Sequence, residues 1–129
     1  DLGTLALFDY KTGEPPSAKA VELLLAPQLP LEAAMAERGA FPLQGEVSAL
    51  IYWQLSGGFE PGHARAAAKT ARPPDLARAA WTRLGALIRA YDEPDRPYLC
   101  RPVPAHTPRF SDFGQVARVA EWLGEGEEE

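Results

Sequence analysis

The stretch LALFDYKTGEPPSAK, residues 5–19, decides how the chain is read. An apolar run passes into Asp9, Tyr10 and Lys11 and then breaks at Thr12-Gly13-Glu14-Pro15-Pro16. Side chains alternate across a strand, so Leu5, Leu7, Asp9 and Lys11 fall on one face. Proline cannot donate to a β-ladder, and the strand must stop there. The pattern predicts a strand whose C-terminal end presents a carboxylate and an ammonium side by side.

Two such groups one residue apart can serve a single reacting group. The carboxylate suits a hard cation such as Mg²⁺, and the lysine suits a phosphate or a polarised water. The same spacing also occurs as a solvent-exposed ion pair, which contributes little to stability.

Beyond the turn, Ser17 is placed to cap a helix carrying Ala18, Val21, Leu24 and Leu25 and ending near Ala26-Pro27. A second helix reads from Pro27 to Arg38, with Gly39 at its C-terminal cap. EVSALIYWQL, residues 46–55, is rich in β-branched and aromatic side chains and is closed by Ser56-Gly57-Gly58, which predicts a strand. Residues 59–74 read as loop. Asp75 begins a helix to about Tyr91, with Leu76, Ala80, Leu84, Leu87, Ile88 and Tyr91 at helical spacing. A proline-rich, extended stretch follows from Pro94 to Pro108, and then a short helix over Asp112 to Leu123 with Val116, Val119, Ala120 and Leu123 inward.

The whole chain has 129 residues, of which 46% are hydrophobic, as suits one domain with an ordinary core. Its net charge of −5 weighs against nucleic acid, yet six basic side chains stand against Asp75 alone between Pro61 and Ala90. Arg65, Lys69 and Arg72 in that strip are candidates to follow DNA phosphates, the other reading being a solvated helix face. Cys100 is the one cysteine, which rules out an internal disulfide and fits a reducing cytoplasm. No stretch is long and apolar enough for a membrane span, and cytoplasmic location is the expectation. His63 and His106 lack ligand-spaced partners for zinc, and Ser17 and Ser56 lack a neighbouring histidine for a hydrolase triad. Trp53, Trp81 and Trp122 are expected in the core, and Tyr52, next to Trp53, on the opposite face and exposed.

The order of strand, DYKTG (9–13), proline-rich turn, SAK (17–19) and a helix bearing PQLPLEAA (27–34) resembles the nuclease core of the RecB-like branch of the PD-(D/E)XK superfamily. It looks most like the C-terminal nuclease domain of the AddB family, the second subunit of bacterial AddAB helicase-nucleases of double-strand-break repair. The similarity continues through YWQLSGG (52–58) and, more loosely, PYLCRPVP (97–104).

That resemblance implies an α/β, restriction-endonuclease-like core, a mixed sheet flanked by helices, with a partial nuclease domain over residues 1–123 and an acidic disordered tail over 124–129. It makes Asp9 a metal ligand, joined by the main-chain carbonyl of Tyr10. It makes Lys11 the catalytic lysine that orients water or stabilises charge on the phosphorane, and Gln28 the glutamine that supports the site. The tyrosine often found four residues after that glutamine is Glu32 here. The implied reaction is hydrolysis of a phosphodiester with Mg²⁺ or Mn²⁺. The implied partners are single-stranded DNA at processed ends and an AddA-like helicase-nuclease subunit, with no membrane.

Two departures qualify the expectation. The superfamily needs a further acidic residue on the strand before the hairpin, whereas this chain opens on Asp1-Leu2-Gly3, which reads as the hairpin turn itself. An N-terminally truncated fragment with half a metal site, inactive by itself, is therefore expected. Some AddB-type nucleases hold an iron-sulfur cluster with four cysteines, and Cys100 alone predicts none here. The alternative function is a DNA-binding or subunit-docking module that keeps the fold without cutting.

Overall fold

Apolar alternation in β1 (Thr4–Lys11) does set its faces: Leu5, Leu7, Asp9 and Lys11 are half-buried, while Thr4, Ala6, Phe8 and Tyr10 are exposed. The computed structural model describes residues 3–43, 45–59, 61–99, 116 and 118. The elements after β1 are α1 (Ala18–Glu22), α2 (Gln28–Glu37), β2 (Glu46–Leu55), β3 (Gly62–Ala66) and α3 (Pro73–Tyr91). Of the expected helix over Asp112 to Leu123 only Val116 and Arg118 are described, both in turns, and Val116 is 82% exposed where it was expected inward; Trp122, His106, the acidic tail and Cys100 lie outside the described residues.

The three strands form one sheet in the order β1-β2-β3, with β1 and β2 parallel and β2 and β3 antiparallel. It is thus a mixed sheet flanked by helices, the α/β core that the sequence predicts. β3 is a correction, because residues 59–74 read as loop. GHARA, residues 62–66, has little intrinsic β preference and is held by the ladder it makes with Leu55 to Ile51.

A bulge in β2 decides which side chains go inward. Leu5 pairs with Val47 and Ala6 with Ala49, so Ser48 is the extra residue, and its hydroxyl donates to the Leu5 carbonyl at 3.2 Å. Simple alternation from buried Val47 would bring Trp53 inward. The bulge shifts the parity, so Leu50 and Tyr52 are buried and Trp53 is 40% exposed. Both expectations for this pair are therefore reversed. Trp53 instead lies outside with Tyr10, whose ring stacks on it at 6.1 Å, and Phe8 at 6.4 Å. Trp81 is also outside the core, 44% exposed with the Arg38 guanidinium 4.3 Å from its ring centroid.

One core joins the helices to the sheet. Val21 of α1, Leu29 and Ala33 of α2, Val47, Leu50 and Tyr52 of β2 and Leu76 and Ala77 of α3 are buried together. Each of the larger apolar side chains contributes about 1.5–3 kcal/mol by leaving water. Ser17 caps α1 as predicted, its Oγ accepting from the Ala20 amide at 3.2 Å. The helix is shorter than predicted, however: it ends at Glu22, and Leu24 takes a left-handed φ of 55°. α2 ends as expected, with Gly39 at a φ of 76°.

The chain divides into two compact units, Asp1–Ala90 and Tyr91–Glu129. The sheet belongs to the first. In the second, Tyr91 stacks on Tyr98 at 4.7 Å and carries the Arg96 guanidinium over its ring at 5.1 Å. No helix among the described residues is long and apolar enough to cross a membrane.

Candidate functional site

Parallel strands present their C-terminal ends together, the customary place for a ligand in an open α/β sheet. Here those ends carry two polar rows across the inner face. Asp9, Tyr52 and Arg65 form one, and Lys11, Gln54 and His63 the next. The first turn of α2 comes to the same place, since Gln28 is its first residue and Glu32 stands one turn later.

Three of the four residues predicted to form the centre meet through their side chains. The Lys11 ammonium lies 2.8 Å from Asp9 Oδ2 and donates to Gln28 Oε1 at 3.0 Å. Gln28 in turn donates through Nε2 to Glu32 Oε1 at 3.1 Å. Asp9 Oδ2 is shielded from solvent and has no hydrogen-bond partner of acceptable geometry, although the ammonium is so near. The contact is therefore a charge pair without a directed bond, and the oxygen keeps a lone pair for another ligand. The Tyr10 side chain points to the opposite face, 62% exposed, so the residue can serve the site only through its main-chain carbonyl.

Beside Asp9 in the ladder lies Tyr52, in register with it and 1% exposed. Burial pushes its phenol above the ordinary value, the charges of Asp9 and Glu32 push the same way, and Arg65 opposes them. Tyr52 and Glu32 thus belong to the site, and sequence reasoning assigned neither a role. Parity with Asp9 across the ladder would have found Tyr52 had the bulge been visible. Spacing of four from Gln28 marks Glu32.

The basic residues separate into different tasks. Arg65 is half-buried and donates to the Pro15 and Pro16 carbonyls while pairing with Glu14 at 3.2 Å. It ties the turn that follows Lys11 to β3, a structural task that occupies the donors a phosphate would need. Arg72 is committed to Asp75 at 2.8 Å, an exposed pair that Arg78 joins at 3.2 Å. Those guanidinium groups hold the Asp75 carboxyl below its ordinary value. The Lys69 side chain is exposed, and its backbone N–H donates to Glu22 Oε1 at 2.8 Å.

Oxygen donors of this kind suit a hard divalent cation. Among the described residues no three His, Cys, Asp or Glu side chains come together. His63 stands in β3, and was expected in a loop.

No curated protein and no solved structure matches the chain. The sequence profile of the PD-(D/E)XK nuclease superfamily matches residues 1–102. With a carboxylate and a lysine one residue apart at the C-terminal end of β1, and most of its length matched, the chain belongs to the PD-(D/E)XK nuclease superfamily.

Proposed function

We propose that this chain is the nuclease domain of an AddB-like subunit, which processes DNA ends in double-strand-break repair together with an AddA-like helicase-nuclease partner. The observation that carries the reading is the meeting of Asp9, Lys11 and Gln28 at the C-terminal ends of parallel strands. The finer assignment within the superfamily rests on the resemblance of DYKTG, PQLPLEAA and YWQLSGG to RecB-like nucleases.

Members of the superfamily generally use a divalent metal such as Mg²⁺, and the residues here fit one. Asp9 Oδ2 is a shielded carboxylate oxygen with an uncommitted lone pair, and the Tyr10 carbonyl is next to it in sequence. When bound, Mg²⁺ neutralises phosphate charge and makes a bound water more acidic. Asp9 and Tyr10 would hold it. Lys11 has three N–H donors, of which Gln28 takes one and Asp9 attracts another. A third remains for a phosphate oxygen or the attacking water, where charge develops during hydrolysis. Gln28 keeps the ammonium in place while that donor works.

The test is cleavage of single-stranded DNA in Mg²⁺ by the full-length gene product with its helicase partner, compared with Asp9→Ala and Lys11→Ala. Cutting by the wild type alone, with all three proteins folded, supports the reading. A folded wild type that binds DNA without cutting it overturns the reading in favour of a binding or docking module.

A further inference from the structure

The nuclease reading gives no task to Glu32, yet the hydrogen-bond chain ends on it. A glutamine amide has two nearly isosteric ends, one accepting and one donating, and a half-turn about its last bond exchanges them. Only one setting serves Lys11, because an ammonium has donors and no acceptor. The flipped amide would turn its N–H groups against the ammonium, and neither could accept from the other.

Glu32 removes that choice. Its carboxylate can only accept, and it receives Gln28 Nε2 at 3.1 Å, which leaves Oε1 facing Lys11 at 3.0 Å. Lysine is a point charge on a flexible four-carbon stem, so the place of its ammonium depends on such acceptors. Glu32 is half-buried, and its charge bears on the same buried phenol as that of Asp9 does.

We propose that Glu32 is a positioning residue for phosphodiester hydrolysis: by fixing the Gln28 amide it sets the Lys11 ammonium beside the Asp9 carboxylate. The kinetic half of this inference rests on the nuclease reading. The placement of Lys11 does not.

The experiment therefore has two readouts on the full-length gene product. The first is the ¹⁵Nζ resonance of Lys11, assigned by its loss in Lys11→Arg, in wild type, Gln28→Leu, Glu32→Leu and Glu32→Gln. A held ammonium exchanges its protons slowly and gives a signal. That signal is expected in wild type, lost in Gln28→Leu and Glu32→Leu, and restored in Glu32→Gln, which keeps an acceptor for Gln28 Nε2 without the charge. The second is steady-state cleavage of single-stranded DNA in Mg²⁺. Glu32→Leu is expected to lower kcat by roughly tenfold with KM little changed, the scale of one hydrogen bond to a charged group, and Glu32→Gln to recover most of the loss.

A folded Glu32→Leu protein with the wild-type Lys11 signal and wild-type kcat overturns the proposal. If the Lys11 signal follows expectation but the wild type cuts nothing, the nuclease reading fails and the positioning of Lys11 by Glu32 stands.

Discussion

Asp9 stands directly opposite Tyr52 in the β1–β2 ladder, with the exposed edge of the site on one side and a fully buried phenol on the other. The phenol's folded-state value is raised, so the neutral form is favoured by folding. Its contribution is complete below the ordinary value of 10.0 and is lost as pH rises from there through the folded value. In metal-free buffer the urea midpoint of the wild type should fall above about pH 10, and Tyr52→Phe should remove that fall. Near neutral pH Tyr52→Phe keeps the ring and costs little, whereas Tyr52→Ala should cost about 3–5 kcal/mol by emptying the centre of the core.

Glu22 makes the opposite prediction at low pH. Its Oε1 accepts from the backbone N–H groups of Lys69 and Thr70 at 2.8 and 2.7 Å, from Ala71 at 3.4 Å and from the Thr70 hydroxyl at 3.0 Å. The backbone bonds to Thr70 and Lys69 lower its value from 4.5 to about 2, against some opposition from burial. Stability from this carboxylate is therefore present above pH 4.5 and lost as pH falls through about 2. Thermal melting across that window should show a steeper acid limb in wild type than in Glu22→Gln.

Arg65 and Lys69 separate a structural cation from a solvated one. Arg65→Ala leaves the Pro15 and Pro16 carbonyls without their donor and should lower the melting temperature by about 4 °C or more. Lys69→Ala removes an exposed side chain, while the backbone N–H that binds Glu22 stays, so its melting temperature should be unmoved. Scanning calorimetry of the two variants decides it. Equal losses would mean that the turn after Lys11 is held by something other than Arg65.

The inner face of β1, the span of β2 and the C-terminal cap of α2 were legible because each is set by residues next to one another in sequence. Alternation places Leu5 through Lys11, and glycine at a left-handed φ ends α2 at Gly39. What failed depended on distant partners. β3 exists because β2 offers it a ladder, and nothing within GHARA says so. Tyr52 and Trp53 changed places because Ser48 is bulged against Leu5, a relation between strands more than forty residues apart. At the site, Asp9, Lys11 and Gln28 were found through a family resemblance. The part of Glu32 appears only when Gln28 is seen to use both ends of its amide.

Because Lys11 lies against the oxygen that a metal would use, the two residues should respond to Mg²⁺ in opposite ways. Asp9→Asn removes the anionic ligand and should abolish the rise in melting temperature that Mg²⁺ gives the wild type, a rise worth about 2.7 kcal/mol at a hundredfold excess over Kd. Lys11→Met takes a competing positive charge away from Asp9 Oδ2, so its affinity for Mg²⁺ should equal or exceed that of the wild type. Yet this variant has lost the donor for the phosphate, and its cleavage rate should fall by at least about a hundredfold, as when a charge-stabilising donor is deleted elsewhere. Calorimetric Mg²⁺ titrations beside cleavage assays would show tight binding without cutting in Lys11→Met and neither in Asp9→Asn. If Lys11→Met bound Mg²⁺ more weakly than the wild type, the lysine would be organising the metal site and not facing the phosphate.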